Sequence, residues 1–129
     1  MIDFATLTRP KTPNAYLLAP EGLCGAAQAD GTAPVFEADP DRVFAAAEAA
    51  ARAMTGVSDV QADAGARALS FVARTRLLRF KDDVDAAVVP QGEGAALAIY
   101  SRSRVGQSDL GANQKRVTAF TEAVRARLA

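Results

Sequence analysis

The residues whose types and spacing could do chemistry lie in one run, YSRSRVGQSDLGANQKR, at positions 100–116. On an extended strand Arg102 and Arg104 project to one side, with Ser101 and Ser103 opposite. Gly106 permits a sharp bend. Ser108 or Asp109 can then cap a helix, and Asn113 and Arg116 share a face within a turn of its start. Arg74 and Arg76 form a second pair on one strand face, and Asp82 and Asp83 follow at the next turn. This pattern predicts five arginines converging on a helix N-terminus, with three aspartates beside them.

Three chemistries are open to such a group. The first is binding of a small anionic ligand, such as a carboxylate, a phosphate or an acidic metabolite, because free N–H groups and guanidinium groups both attract negative charge. Arg74, Arg76, Arg102, Arg104 and Arg116 would supply charge, and Ser103, Ser108 and Asn113 hydrogen bonds. The second is structural. Bidentate arginine–carboxylate pairs can lock a strand–turn–helix joint, with Asp82, Asp83 and Asp109 as the anionic half of the network. The third is hydrolysis by those aspartates. It is the weakest, because neighbouring arginines lower a carboxylate pKa rather than raise it towards neutrality. The same carboxylates carry no metal-loop signature.

The elements that position these residues follow from periodicity. Residues 1–34 read as an irregular arm, punctuated by Pro10, Pro13, Pro20 and Pro34. Its apolar Tyr16, Leu17 and Leu18 predict that it lies on the body. Residues 33–38 read as a short edge strand. Asp39 and Pro40 open a helix to about Met54, closed by Gly56. The period then changes to two, predicting strands at 57–63, 67–78, 84–89 and 95–103, with turns at 64–65, at the KDD of 81–83 and at 90–94. A last helix runs from Ser108–Asp109 to Leu128, with Val117, Phe120, Val124 and Leu128 as its buried stripe. Short connections make consecutive strands antiparallel. The expected fold is α+β, order β-α-β-β-β-β-α, with a four- to five-stranded sheet and both helices on one face. Residues 1–129 form a single domain on this reading, with an arm (1–34) and an α+β body (35–129).

Composition narrows the function classes. At 129 residues the chain suits one domain. It contains 30 alanines, which bury little area each. The core therefore depends on larger residues: Phe36, Phe44, Met54, Leu69, Phe71, Val72, Leu77, Val84, Leu97, Ile99, Val117, Phe120, Val124 and Leu128. Lys plus Arg and Asp plus Glu both total 15, so the formal net charge is zero, which argues against nucleic acid as a partner. There is no histidine and one cysteine, Cys24. Histidine-dependent triads, zinc sites and proton shuttles are excluded, as is an internal disulfide. Cys24 has no basic neighbour in sequence to activate it. No apolar stretch has the length of a membrane span and no secretory segment is visible, so the expectation is a cytoplasmic protein without a cofactor.

Three stretches together resemble a known family. They are SRSRVGQSDLG with the following Asn113, Arg116 and Val117, RTRLLRFKDD at 74–83, and TPNAYLLAP at 12–20. They resemble the bacterial and plastid domain-of-unknown-function family numbered 1499, over almost the whole chain. The resemblance maps family features onto Arg102, Ser103, Arg104, Gly106, Ser108, Asp109, Gly111, Asn113 and Arg116, and onto Arg74, Arg76, Phe80, Asp82 and Asp83. It implies a single domain and brings no activity with it. The functional expectation is therefore non-enzymatic binding of a small anionic ligand at the strand–helix joint. The alternatives are a purely structural network in an interaction protein, homodimeric through its free sheet face, or an aspartate-based hydrolase.

Overall fold

The computed structural model describes residues 1–10, 13–75, 79–106 and 109–129. Nine elements follow in order: β1 (Ala15–Ala19), β2 (Gly31–Thr32), β3 (Val35–Phe36), α1 (Pro40–Ala53), β4 (Val57–Asp63), β5 (Ala68–Arg74), β6 (Lys81–Gln91), β7 (Gly94–Ser103) and α2 (Ala112–Leu128). They build one α+β fold around a seven-stranded sheet of order β2-β1-β7-β6-β5-β4, with β3 also paired to β7. All pairings are antiparallel except β1 with β2.

Helix α1 starts where its sequence dictates. The Asp39 side chain accepts from the Asp41 N–H at 2.8 Å, and Pro40 occupies the first turn. Both helices cover the same sheet face. Val43, Phe44, Ala47 and Ala50 of α1 and Val117, Phe120 and Val124 of α2 meet Leu69, Phe71, Val84, Ala86, Leu97 and Ile99 from the sheet. Phe71 and Phe120 pack edge to face, with centroids 5.5 Å apart. Met54 and Leu128 pack at the margin of this core, and Leu77 lies outside the described residues.

Several expected boundaries are corrected. The arm is not wholly irregular: residues 15–19 form a strand hydrogen-bonded to β7 and residues 31–32 pair with it in turn, so the strand count among the described residues rises to seven. This strand lays Leu17 and Ala19, with Phe4 and Leu7, against Ala98 and Tyr100 on the face opposite the helices. The arm thus builds a second, smaller core that frequent prolines had concealed. The KDD at 81–83 is not a turn but the first part of β6, which runs on through Pro90 to Gln91. Ahead of it the Thr75 N–H donates to the Phe80 carbonyl at 2.9 Å, and β5 ends at Arg74; residues 76–78 of the expected strand lie outside the described residues. Helix α2 begins at Ala112, later than expected.

The alternation along β6 and β7 decides the rest. Asp82, Val84, Ala86 and Val88 face the helices, whereas Lys81, Asp83, Asp85 and Ala87 face away. Leu97, Ile99, Ser101 and Ser103 face the helices, whereas Ala98, Tyr100 and Arg102 face away.

Candidate functional site

Two polar groups occupy opposite faces of the sheet at the end where β7 gives way to α2. Beneath α2 lies a buried network centred on Asn113, which is fully buried. Its Nδ2 donates to the Asn14 carbonyl at 2.9 Å, to Ser103 Oγ at 2.9 Å and to Asp109 Oδ2 at 2.7 Å. Its Oδ1 accepts from Ser101 Oγ at 2.6 Å and from Arg116 Nη1 at 3.2 Å. Arg116 Nη1 also donates to Asp82 Oδ2 at 2.6 Å. The bend is made at Gly106, whose φ of 90° only glycine adopts cheaply, and Asn14 Nδ2 holds its carbonyl at 2.8 Å.

The start of α2 carries its own anion. Asp109 accepts from the Gly111 N–H at 2.8 Å and from the Asn113 N–H at 3.1 Å. The donors that could have drawn a ligand are therefore engaged by the chain itself. The N-cap position is Gly111, in the left-handed region, and not Ser108 or Asp109 as the spacing implied, although the Asp109 carboxylate still accepts from two N–H groups at the helix start.

On the other face, Arg102 and Arg104 stand over β6. Arg104 makes a bidentate pair with Asp83, Nε to Oδ2 at 3.0 Å and Nη2 to Oδ1 at 2.7 Å. These bonds hold the Asp83 carboxyl below the usual carboxylate range and push the Arg104 guanidinium up. Arg102 Nη1 donates to Asp85 Oδ2 at 2.6 Å, and its guanidinium lies 4.9 Å from the Tyr100 ring centroid. Burial pushes the Tyr100 hydroxyl up. The two arginines border a cleft of about 520 Å³ on this face, which Met1 and Ile2 of the arm also line. Asp59, Gln61, Ser70 and Val72 form its far side.

The structure thus divides what the sequence had placed together. Arg116, Asn113, Ser103, Asp109 and Asp82 meet beneath α2. Arg102, Arg104 and Asp83 meet on the opposite face, so the five arginines do not converge on the helix start. Arg74 also faces away from the helices, with Nη1 donating to Ser58 Oγ at 2.8 Å. Arg76 and Ser108 lie outside the described residues. Asp82 and Asp83, adjacent in sequence, point to opposite faces and cannot act on one substrate atom or hold one cation. Cys24 packs into the arm's core, where burial pushes its thiol up.

Two participants were missed. Asn14 is buried and joins the arm to the bend. Asp85 is buried and pairs with Arg102. Strand alternation continued from Lys81 through Asp83 to Asp85 was the available signal for Asp85. Asn14 had none beyond its place before an apolar run.

The family model described as "Protein of unknown function (DUF1499)" matches residues 7–124. No curated protein matches the chain. Among solved structures, the crystal structure of TTHA0849 from Thermus thermophilus is similar at 14% identity and a TM-score of 0.40, over 73% of this chain and 92% of that one. Among the described residues no helix is long and apolar enough to cross a membrane.

Proposed function

Because the chain belongs to the DUF1499 family, which is defined by no activity, we propose its function from the geometry: a non-enzymatic binding domain for a small ligand with an anionic group. The ligand sits in the cleft on the open sheet face rather than beneath α2. The observation that carries this reading is the spare hydrogen-bonding capacity of Arg102 and Arg104. Arg102 Nε and Nη2, and Arg104 Nη1, bond to no described residue, although both side chains border the cleft. A guanidinium held in place by its own carboxylate is preorganised to give its remaining donors to a second anion.

The cations beside the cleft, next to Arg104, support the same reading. Arg74 and Lys81 are register partners, and the Arg104 N–H donates to the Lys81 carbonyl at 3.2 Å. Three cationic residues therefore stand side by side across β5, β6 and β7. Lys81 has no ion pair among the described residues. Like charges opposite one another on a sheet are unfavourable unless an anion lies among them. Asp83 makes its ion pair with Arg104 and, among the described residues, none with Lys81 or Arg74.

The test is a titration with inorganic phosphate, followed by amide chemical shifts. Saturable shifts are expected at residues 81–85 and 102–104, lost in Arg104→Ala. An absence of saturable shifts in the unmodified chain, or shifts that survive Arg104→Ala unchanged, sinks the reading. The buried network beneath α2 favours a structural role for Asp82, Asn113 and Arg116, and they are not assigned to the ligand.

A further inference from the structure

Resting on the anion-binding reading above, we propose that the ligand is dipolar, carrying an ammonium group that faces Asp59 while its anionic group faces Arg104. The cleft has two ends of opposite charge. Arg104 lines one end, and Lys81 neighbours it on β6 outside the cleft lining. Asp59 stands at the other, on β4, and has no ion pair among the described residues. Among the described residues its side chain accepts one hydrogen bond, from Ser58 Oγ to Oδ2 at 3.0 Å, which leaves Oδ1 as an open acceptor.

Asp59 reaches the cleft because the strand is irregular there. The pairing of β4 with β5 shifts between Ser58 and Gln61, and Asp59 takes a left-handed φ of 55°. A bulge of this kind turns a side chain out of its regular alternation. A left-handed aspartate costs backbone energy, and such positions concentrate where a side chain must be aimed. Three inter-strand gaps separate β4 from β7, about 14 Å between backbones. Two side chains reaching inward across that span leave room for a few heavy atoms between the ligand's charges. Arg102 and Asp85 also pair with each other, so that ion pair adds no net charge to the cleft.

The probes are O-phosphoethanolamine and inorganic phosphate, titrated by calorimetry into the full chain and into Asp59→Asn. Asparagine adopts the left-handed conformation readily, so this variant keeps the bulge while losing the charge. O-phosphoethanolamine is expected to bind about tenfold more tightly than phosphate, the share of one charge-assisted contact. Asp59→Asn is expected to close that gap. Equal affinity for the two probes in the unmodified chain, or a gap that persists in Asp59→Asn, overturns the dipolar ligand and leaves anion binding standing. If neither probe binds, both readings fall.

Discussion

Arg116 Nη1 meets Asp82 Oδ2 at 2.6 Å, and the two side chains are 11% and 1% exposed. One residue further along β6, Arg104 meets Asp83 at 2.7 Å with 44% and 34% exposure. The pairs are chemically the same and their aspartates adjacent. They differ in face alone. The inner pair ties α2 to the middle of the sheet in a medium where an unpaired charge is costly. The outer pair stands in water at the mouth of a cleft. A pair that is mostly screened contributes little to folding and remains free to exchange partners.

Arg116→Met should destabilise the fold by about 3–5 kcal/mol, because it leaves Asp82 buried without its counter-charge. Adding Asp82→Leu should recover most of that loss, since two apolar residues no longer carry a desolvation penalty. Urea denaturation of the two variants checks this. If the double variant is no more stable than Arg116→Met, the cost lies in packing and not in the charge.

Asn113→Ala should be as damaging as the loss of a large core residue. It strips partners from the Asn14 carbonyl, Ser101, Ser103, Asp109 and Arg116 together. Orphaned buried groups cost about 1–3 kcal/mol each, and some of these would find water. Amide exchange at Ser103 and Gly106 should accelerate with the loss of stability, because the arm and the bend share this residue. Unchanged exchange there would show that Asn14 and Gly106 hold the bend without Asn113.

The same residues show what was legible in the sequence. The α1 cap at Asp39, the two-residue period of β5 to β7 and the stripe of Val117, Phe120 and Val124 are local signals, and the fold follows them. The opposed directions of Arg102 and Ser103 were also readable, because strand alternation is geometric. What could not be read was the partner of each side chain. Asp82 and Asp83 look like a turn because paired charges favour solvent, and only the arrival of Arg116 from α2 makes a buried aspartate tolerable. Asn14 is bound to a bend 92 positions away, a distance at which no spacing rule operates. Strand β1 was hidden for the same reason: its partner β7 lies at the far end of the chain, and prolines flank it.

The Arg104–Asp83 pair gives the protein a specific acid response. Asp83 is held below its ordinary pKa chiefly by the hydrogen bonds from Arg104, so the folded chain takes up this proton at lower pH than the unfolded chain. Its contribution is complete above the unfolded value of about 3.9 and is lost as pH falls through the folded one. Asp83→Asn should therefore lower the urea midpoint only slightly at neutral pH, because so exposed a pair is largely screened. The difference from the unmodified chain should vanish in strong acid. A difference that stays constant with pH would assign it to packing.

The three arginines of the joint should rank by the burial of the carboxylate each leaves behind. Arg104→Ala leaves Asp83 to water and should cost least, because so exposed a pair is screened. Arg102→Ala bares Asp85, which is 5% exposed but keeps the Ile2 N–H on Oδ1 at 3.0 Å, and should cost an intermediate amount. Arg116→Ala bares Asp82, which is 1% exposed and has an Oδ1 without a hydrogen-bond partner, and should cost most. Phosphate binding should follow a different order, lost in Arg104→Ala and retained in whatever fraction of Arg116→Ala remains folded. Measuring both orders on the same variants separates the scaffold from the site. Should Arg104→Ala prove the least stable of the three, its pairing with Asp83 would be part of the scaffold and the cleft would lose its principal cation.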